Sequence, residues 1–248
     1  MSGSRPILHA VTLLFCSAIA LLPLHGAETP SDVAATKWQM AVERIGGENL
    51  DFSSIEVSGN AYLVIGDQET AVQQTFSYRL PDRIRSTSVM GGIKIVVIVN
   101  GDTGVTRLGD RGTLMGVGTI KVQLQELQRS LFSLIQHHDD PTLQVISVEG
   151  PTTERTCSWV KLSVGGVQSR LCIGDSGEIV HQIHNGRHPI QQSPGELGFG
   201  YDDYRKVEGR WIPHLWKVSF DDSLIYRFEI EKITFAPEFD DQTFRVEE

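Results

Sequence analysis

Ile93-Lys94-Ile95-Val96-Val97-Ile98-Val99 is the stretch that decides the fold. From Ile95 onward every position is apolar, whereas a strand with one wet face alternates apolar and polar side chains. The run therefore reads as a strand covered on both faces. Something must lie over the sheet to which it belongs.

Outward from this strand the chain is punctuated by turns. Upstream, Thr70–Tyr78 and Arg83–Val89 read as strands, bounded by Gly66-Asp67, Pro81-Asp82 and Gly91-Gly92. Earlier still, Ile55, Val57, Ala61, Leu63 and Ile65 fall on one face of a strand and Glu56, Ser58 and Asn60 on the other. Asn100-Gly101-Asp102 leads downstream into Gly104–Leu108. Links this short imply antiparallel neighbours. A stripe at helical spacing follows: Ile120, Leu124, Leu127, Leu131 and Leu134, entered through Met115-Gly116-Val117-Gly118 and stopped at His137-His138-Asp139-Asp140-Pro141. This single helix is the expected cover. A shorter helix, with Ala34, Trp38, Ala41 and Ile45 on one side, Ser31 as its cap and Gly46-Gly47 as its stop, precedes the first strand. The second half returns to strands at Leu143–Val148, Thr156–Val164, Val167–Ile173, Glu178–His184, Gly198–Val207, Trp211–Phe220 and Leu224–Phe235.

The first residues read as a secretory leader: Arg5, an apolar run from Ile7 to Leu24, then Gly26-Ala27 before Glu28-Thr29-Pro30. An uncleaved anchor is the alternative, because roughly 18 apolar residues suffice to span a bilayer; His9, Pro23 and the Ala27 exit favour cleavage. Residues 1–27 are thus a signal peptide and 28–248 one domain, long enough for a single core and exported to the periplasm or beyond. The net charge is −9 over the full sequence, and loss of the leader removes one charged side chain, Arg5. Such a surface argues against nucleic acid and anionic membrane as main partners, and no stable membrane insertion is expected. Cys157 and Cys172 are the cysteines beyond the leader, and an even count in an exported chain implies a disulfide. They lie in two strands joined through Gly165-Gly166. A two-residue turn would set them diagonally across the ladder and a four-residue loop opposite one another, on the same face either way. Closing this loop stabilises by about 3 kcal/mol on the chain-entropy model.

Motifs for chemistry resolve into turns and surface. Gly174-Asp175-Ser176-Gly177 has the outline of a serine-protease nucleophile loop, but Glu178 stands where a glycine is needed and no segment supplies the base. These four residues make a good turn between strands. His181 and His184 would point to opposite faces of a strand, and together with His188 and the His137-His138 pair they read as solvated surface in place of metal ligands. Gly116-Val117-Gly118 lacks the lysine and third glycine of a nucleotide loop. The aspartate pairs Asp202-Asp203, Asp221-Asp222 and Asp240-Asp241 diverge or sit at turns. No enzyme, cofactor or metal is indicated.

Tyr78-Arg79-Leu80-Pro81-Asp82-Arg83-Ile84-Arg85 resembles the LolA/LolB-like outer-membrane lipoprotein-sorting proteins. Ile45-Gly46-Gly47, Asn100-Gly101-Asp102-Thr103-Gly104, the segment from Tyr201 to Gly209 with Ile212-Pro213, and the tail from Phe235 to Phe244 extend the likeness over nearly the whole mature chain. The resemblance implies a mainly β (α+β) fold: a strongly curved antiparallel sheet forming an incomplete β-barrel, closed by helices, whose inner face holds acyl chains. It further implies a carrier of lipoproteins or other hydrophobic ligands, with inner- and outer-membrane sorting components as partners. In the well-known carriers an arginine directly before the proline helps hold the lid; here Leu80 takes that place and Arg79 comes one residue earlier. Val105 stands where many relatives have tryptophan. Candidate ligand-binding residues are Leu63, Ile65, Arg79, Ile95, Val97, Tyr226 and Phe228, and ordinary core packing is an equal reading of the apolar ones. The rival class is an envelope sensor or assembly module that binds a partner protein through the same fold.

Overall fold

The computed structural model of the chain describes residues 30–46, 51–149, 157–188 and 193–247; the leader expected at 1–27 lies outside them. In chain order the elements are α1 (Pro30–Gly46), β1 (Ser54–Ile65), β2 (Gln68–Arg79), β3 (Arg83–Met90), β4 (Ile93–Asn100), β5 (Thr103–Leu108), β6 (Arg111–Leu114), α2 (Val117–Arg129), α3 (Leu131–Gln136), β7 (Gln144–Glu149), β8 (Ser158–Val164), β9 (Val167–Ile173), β10 (Ile179–Arg187), β11 (Pro194–Val207), β12 (Arg210–Phe220) and β13 (Ser223–Phe235), followed by a 3₁₀ turn at Asp241–Phe244. Every expected strand is present. The short β6 was not expected, because Arg111-Gly112-Thr113-Leu114 carries no alternation to read.

The strands form one antiparallel sheet in the order β6-β5-β4-β3-β2-β1-β13-β12-β11-β10-β9-β8-β7. Two meanders are joined where β1 pairs with β13, and the sheet stays open because its edges β6 and β7 do not pair. Bulges bend the sheet, one of them at Ser58/Gly59 in the β1–β13 seam. At Gly59 the two backbones come so close that a Cβ would run into the Glu229 carbonyl, so only glycine fits.

Helices cover one face, the inner one. α1 lies against β7, β8 and β12, and α2 touches β5 on one side and β9 on the other. Ala34, Trp38, Ala41 and Ile45 of α1 are all buried, as the helical spacing requires. The helix expected to run through Leu134 is broken at Ser130, whose backbone is extended (φ −57°, ψ 146°). The Ser130 hydroxyl donates to Leu127 O at 2.7 Å and accepts from the Ser133 amide at 3.3 Å, ending α2 and capping α3 with one side chain. The histidines at the end of α3 do meet its carbonyls: His137 Nδ1 lies 2.8 Å from Ser133 O and His138 Nδ1 3.1 Å from Ile135 O.

The doubly covered strand is β4. Val99 faces inward against Ile84, Ile120 and Leu127, so α2 covers that side as expected. Val96 and Ile98 face outward and pack with Val105, Phe239, Phe244 and Val246. The outer cover is thus the tail beyond β13, strapped down by hydrogen bonds from Arg79 to Phe239 O (3.0 Å), Arg85 to Thr243 O (2.9 Å) and Arg107 to Glu247 O (2.7 Å). A disulfide joins Cys157 to Cys172 with the Cα atoms 5.5 Å apart. β8 and β9 turn over two residues with Trp159 opposite Cys172, which is the diagonal arrangement. The bridge packs with Trp159 and Ile183 on the outer face.

Candidate functional site

Strand register assigns the inner face residue by residue. Leu63 stands beside Tyr226, Ala61 beside Phe228, and Ile95 beside Ser88 and Leu108, with Val97 beside Ser86 and Thr106. Alternation therefore brings Leu63, Ile65, Ile95, Val97, Tyr226 and Phe228 to one face. Arg79 is not among them. It follows Tyr78, which points inward, so its own side chain is outward, with the guanidinium 5.9 Å from the Phe239 ring and 5.6 Å from the Phe244 ring. The lid role implied for Arg79 is corrected accordingly: it holds the tail. Leu80, at the position where the known carriers have arginine, instead packs with Ile120, Leu124 and Leu127 of α2.

The face has two unlike halves. Nearest the helices it is packed by rings: Phe52 to Phe132 (centroids 5.6 Å apart), Phe132 to Trp216 (6.0 Å), Trp216 to Phe228 (5.7 Å) and Phe228 to Phe76 (5.6 Å). Phe228 is fully buried here and belongs to the core. Toward the hairpins that join β1 to β2, β3 to β4, β5 to β6 and β12 to β13, the face opens. Leu63, Met90, Ile95, Val97, Phe199, Val218 and Tyr226 are half-buried there. Ile65, Ile93 and Leu108 are 64%, 53% and 57% exposed around the rim. Apolar side chains on the same inner face, at the same end of the sheet, form a mouth that a self-contained core would have no reason to leave uncovered. Small residues, Ser86 and Ser88 on β3, form its floor between Phe76 and Ile95.

Polar groups on this face serve the protein itself. Gln74 donates to the Ser86 hydroxyl at 2.8 Å and accepts from that of Ser88 at 2.6 Å. A second set anchors α2 across the opening. Glu126 Oε2 lies 2.9 Å from Nε2 of His184, whose ring stacks on Phe199 with centroids 5.5 Å apart. Gln182 donates to Arg129 O at 2.7 Å and accepts from the Tyr201 hydroxyl at 2.8 Å. His184, expected on a solvated surface, is therefore buried and paired; His181, on the opposite face as expected, meets the Trp159 ring at 5.8 Å. No sequence spacing reveals the Glu126–His184 pair, because it bridges a helix and a strand more than fifty residues apart. Phe199, Val218, Ile93 and Leu108 also escaped notice, although alternation in β4, β5, β11 and β12 would have supplied them once the register was known.

Among the described residues no group of three or more His, Cys, Asp or Glu side chains is placed to hold a metal. None of their helices is long and apolar enough to cross a membrane. Burial holds the phenols of Tyr78, Tyr201, Tyr204 and Tyr226 well above the ordinary tyrosine range, so all four are neutral.

No protein-family model and no curated protein matches the sequence. Solved structures do match. A LolA superfamily protein from Nitrosomonas europaea superposes with a TM-score of 0.54 at 10% identity, over 86% of this chain and 97% of that one. A DUF1329 family protein from Desulfovibrio piger gives 0.54 at 9% identity, over 88% and 98%. A putative outer membrane lipoprotein-sorting protein domain from Vibrio parahaemolyticus gives 0.50 at 7% identity, over 86% and 97%. An open antiparallel sheet curved over helices, matched across nearly the full length of these structures, gives this chain the fold of the LolA superfamily.

Proposed function

We propose that the protein is an exported carrier or binding protein that holds the acyl chain of a lipoprotein, or another hydrophobic ligand, against the open half of its inner face. The observation that carries this reading is the mouth: half-buried Leu63, Ile95, Val97 and Tyr226 ringed by exposed Ile65, Ile93 and Leu108, all on the helix side of one sheet. Burying acyl methylenes is worth about 0.8 kcal/mol each, so a chain of ordinary length binds usefully without any catalytic group. The leader expected at residues 1–27 supports an envelope location for such a carrier, where lipidated proteins need shielding from water. One structure of the same fold is named as a lipoprotein-sorting domain, which accords with this reading. Arg79 has no part in it.

Uptake of a fluorescent fatty acid by the purified mature protein tests the proposal, with Val97→Arg as the variant. The charge enters the middle of the mouth, and binding is expected to fall at least tenfold, about 1.4 kcal/mol or more. A Val97→Arg protein with unchanged circular dichroism that takes up the probe as well as the parent would sink the reading. Native mass spectrometry of protein taken from its own envelope adds the identity of the guest.

A further inference from the structure

Resting on the carrier reading, we infer that the inner face selects acyl chains that carry a neutral carbonyl, an ester or an amide, and that Tyr226 is the residue that recognises it. Tyr226 stands on β13 between Leu63 of β1 and Val218 of β12, at the inner end of the mouth, with its ring 6.3 Å from that of Phe228. Its hydroxyl oxygen is shielded from solvent, and no protein group bonds to it among the described residues. Two other buried phenols are engaged, Tyr201 donating to Gln182 at 2.8 Å and Tyr204 to the Ile179 carbonyl at 2.7 Å, whereas Tyr78, the phenol that acts on Tyr226, makes no bond to it. The amide and hydroxyls of Gln74, Ser86 and Ser88 likewise bond to one another.

A buried hydroxyl with no acceptor is unfavourable, and phenylalanine would fill the same space without that cost. The ring alone therefore does not account for tyrosine here. Leu63, Val218 and Phe228, which stand beside the ring, cannot accept the hydroxyl proton, and no bond joins the hydroxyl to the nearby Tyr78 phenol, so an acceptor has to arrive with the guest. Burial, reinforced by nearby Tyr78, pushes the phenol up, and the group is a neutral donor throughout the physiological range. With no charged side chain among those three neighbours, a carbonyl oxygen suits the position better than a carboxylate, whose desolvation would go uncompensated. Acyl methylenes then run along Leu63, Ile95 and Val97 while the polar link stops at Tyr226.

A matched pair of amphiphiles tests this: 1-palmitoylglycerol, which has an ester carbonyl, and 1-O-hexadecylglycerol, which has an ether in its place. Each is titrated as a competitor of N-phenyl-1-naphthylamine bound to the parent and to Tyr226→Phe, after thermal melts confirm that the variant folds. The parent is expected to prefer the ester by about three- to tenfold, the worth of one neutral hydrogen bond. In Tyr226→Phe that ratio falls to near unity. A parent that binds both amphiphiles without preference overturns the inference and leaves the carrier reading standing, as does a variant that keeps the parent's ratio. A parent that binds neither removes the carrier reading, and this inference with it.

Discussion

Asp175 shows how a single side chain ties two layers together. It sits in the turn between β9 and β10 and accepts from Lys37 Nζ of α1 at 2.9 Å. The hydrogen bond from Lys37, then its charge, hold the Asp175 carboxyl below its ordinary value. A carboxylate whose folded pKa is depressed contributes stability that is fully present above the unfolded value of about 3.9 and is lost as pH falls through the lower folded value. The stability gap between parent and Asp175→Asn is therefore expected at pH 7 and should shrink toward zero at an acid pH below the lowered folded value. Urea midpoints at the two pH values check this, and a gap of equal size at both would refute it. Because the carboxylate is exposed, the effect should also weaken in high salt. The next turn residues explain why Gly-Asp-Ser-Gly stands here as a turn, as read from the sequence. Gly177 adopts φ +83° with its α-carbon hard against α1, where a Cβ would lie 2.6 Å from Met40 O. Gly-Asp-Ser-Gly is in this chain a clamp between turn and helix, and the mismatch at Glu178 was the residue that exposed the false likeness. His184 went the other way. Nothing in its own sequence neighbourhood distinguishes a surface histidine from one buried beside Glu126, since the partner comes from a remote helix.

Among the elements, the strands were legible because their turns are. Most hairpins turn over two residues, as at Gly66-Asp67, Gly91-Gly92 and Gly165-Gly166, and the turn chemistry marks both strand ends. The covering helix was legible as a stripe but not as two pieces. Periodicity from Ile120 to Leu134 survives a one-residue interruption, because Leu131 and Leu134 still fall on the buried side. Ser130 is the missed signal, a good N-cap in mid-stripe. Ser130→Ala removes both of its bonds, and a loss of about 1 kcal/mol is expected. Denaturant unfolding should show a lower midpoint with an unchanged slope; a variant as stable as the parent would mean that α2 and α3 break there for another reason.

At the scale of the molecule, the sequence required cover on both sides of β4 and identified only one. The second cover, the tail, could not be placed from spacing, because contact between Phe244 and Val96 or Ile98 is a fact of topology. The order of strands was hidden for the same reason. What followed from the residues was a sheet under helices; which strands meet across the seam did not. The two faces make a prediction together. Phe244 is 1% exposed on the outer side, away from the mouth. Phe244→Ala should cost about 3 kcal/mol in unfolding free energy, as for other buried phenylalanines, while fatty-acid uptake on the other face holds at the parent level. Loss of both in a folded variant would show that the tail and the mouth are coupled.

The seam between β1 and β13 has a consequence for timing. Ile55 waits for Phe235, and every bond along this line joins opposite ends of the polypeptide. Each meander can assemble as soon as it is made, yet the junction at the middle of the sheet is the last to close, and pairings of such long sequence separation are slow. Until then two half-sheets present raw edges and unshielded aliphatic surface, the condition that invites aggregation during synthesis. A circular permutant that opens the chain between α3 and β7 would turn the same architecture into one unbroken meander and should fold faster without altering the native state.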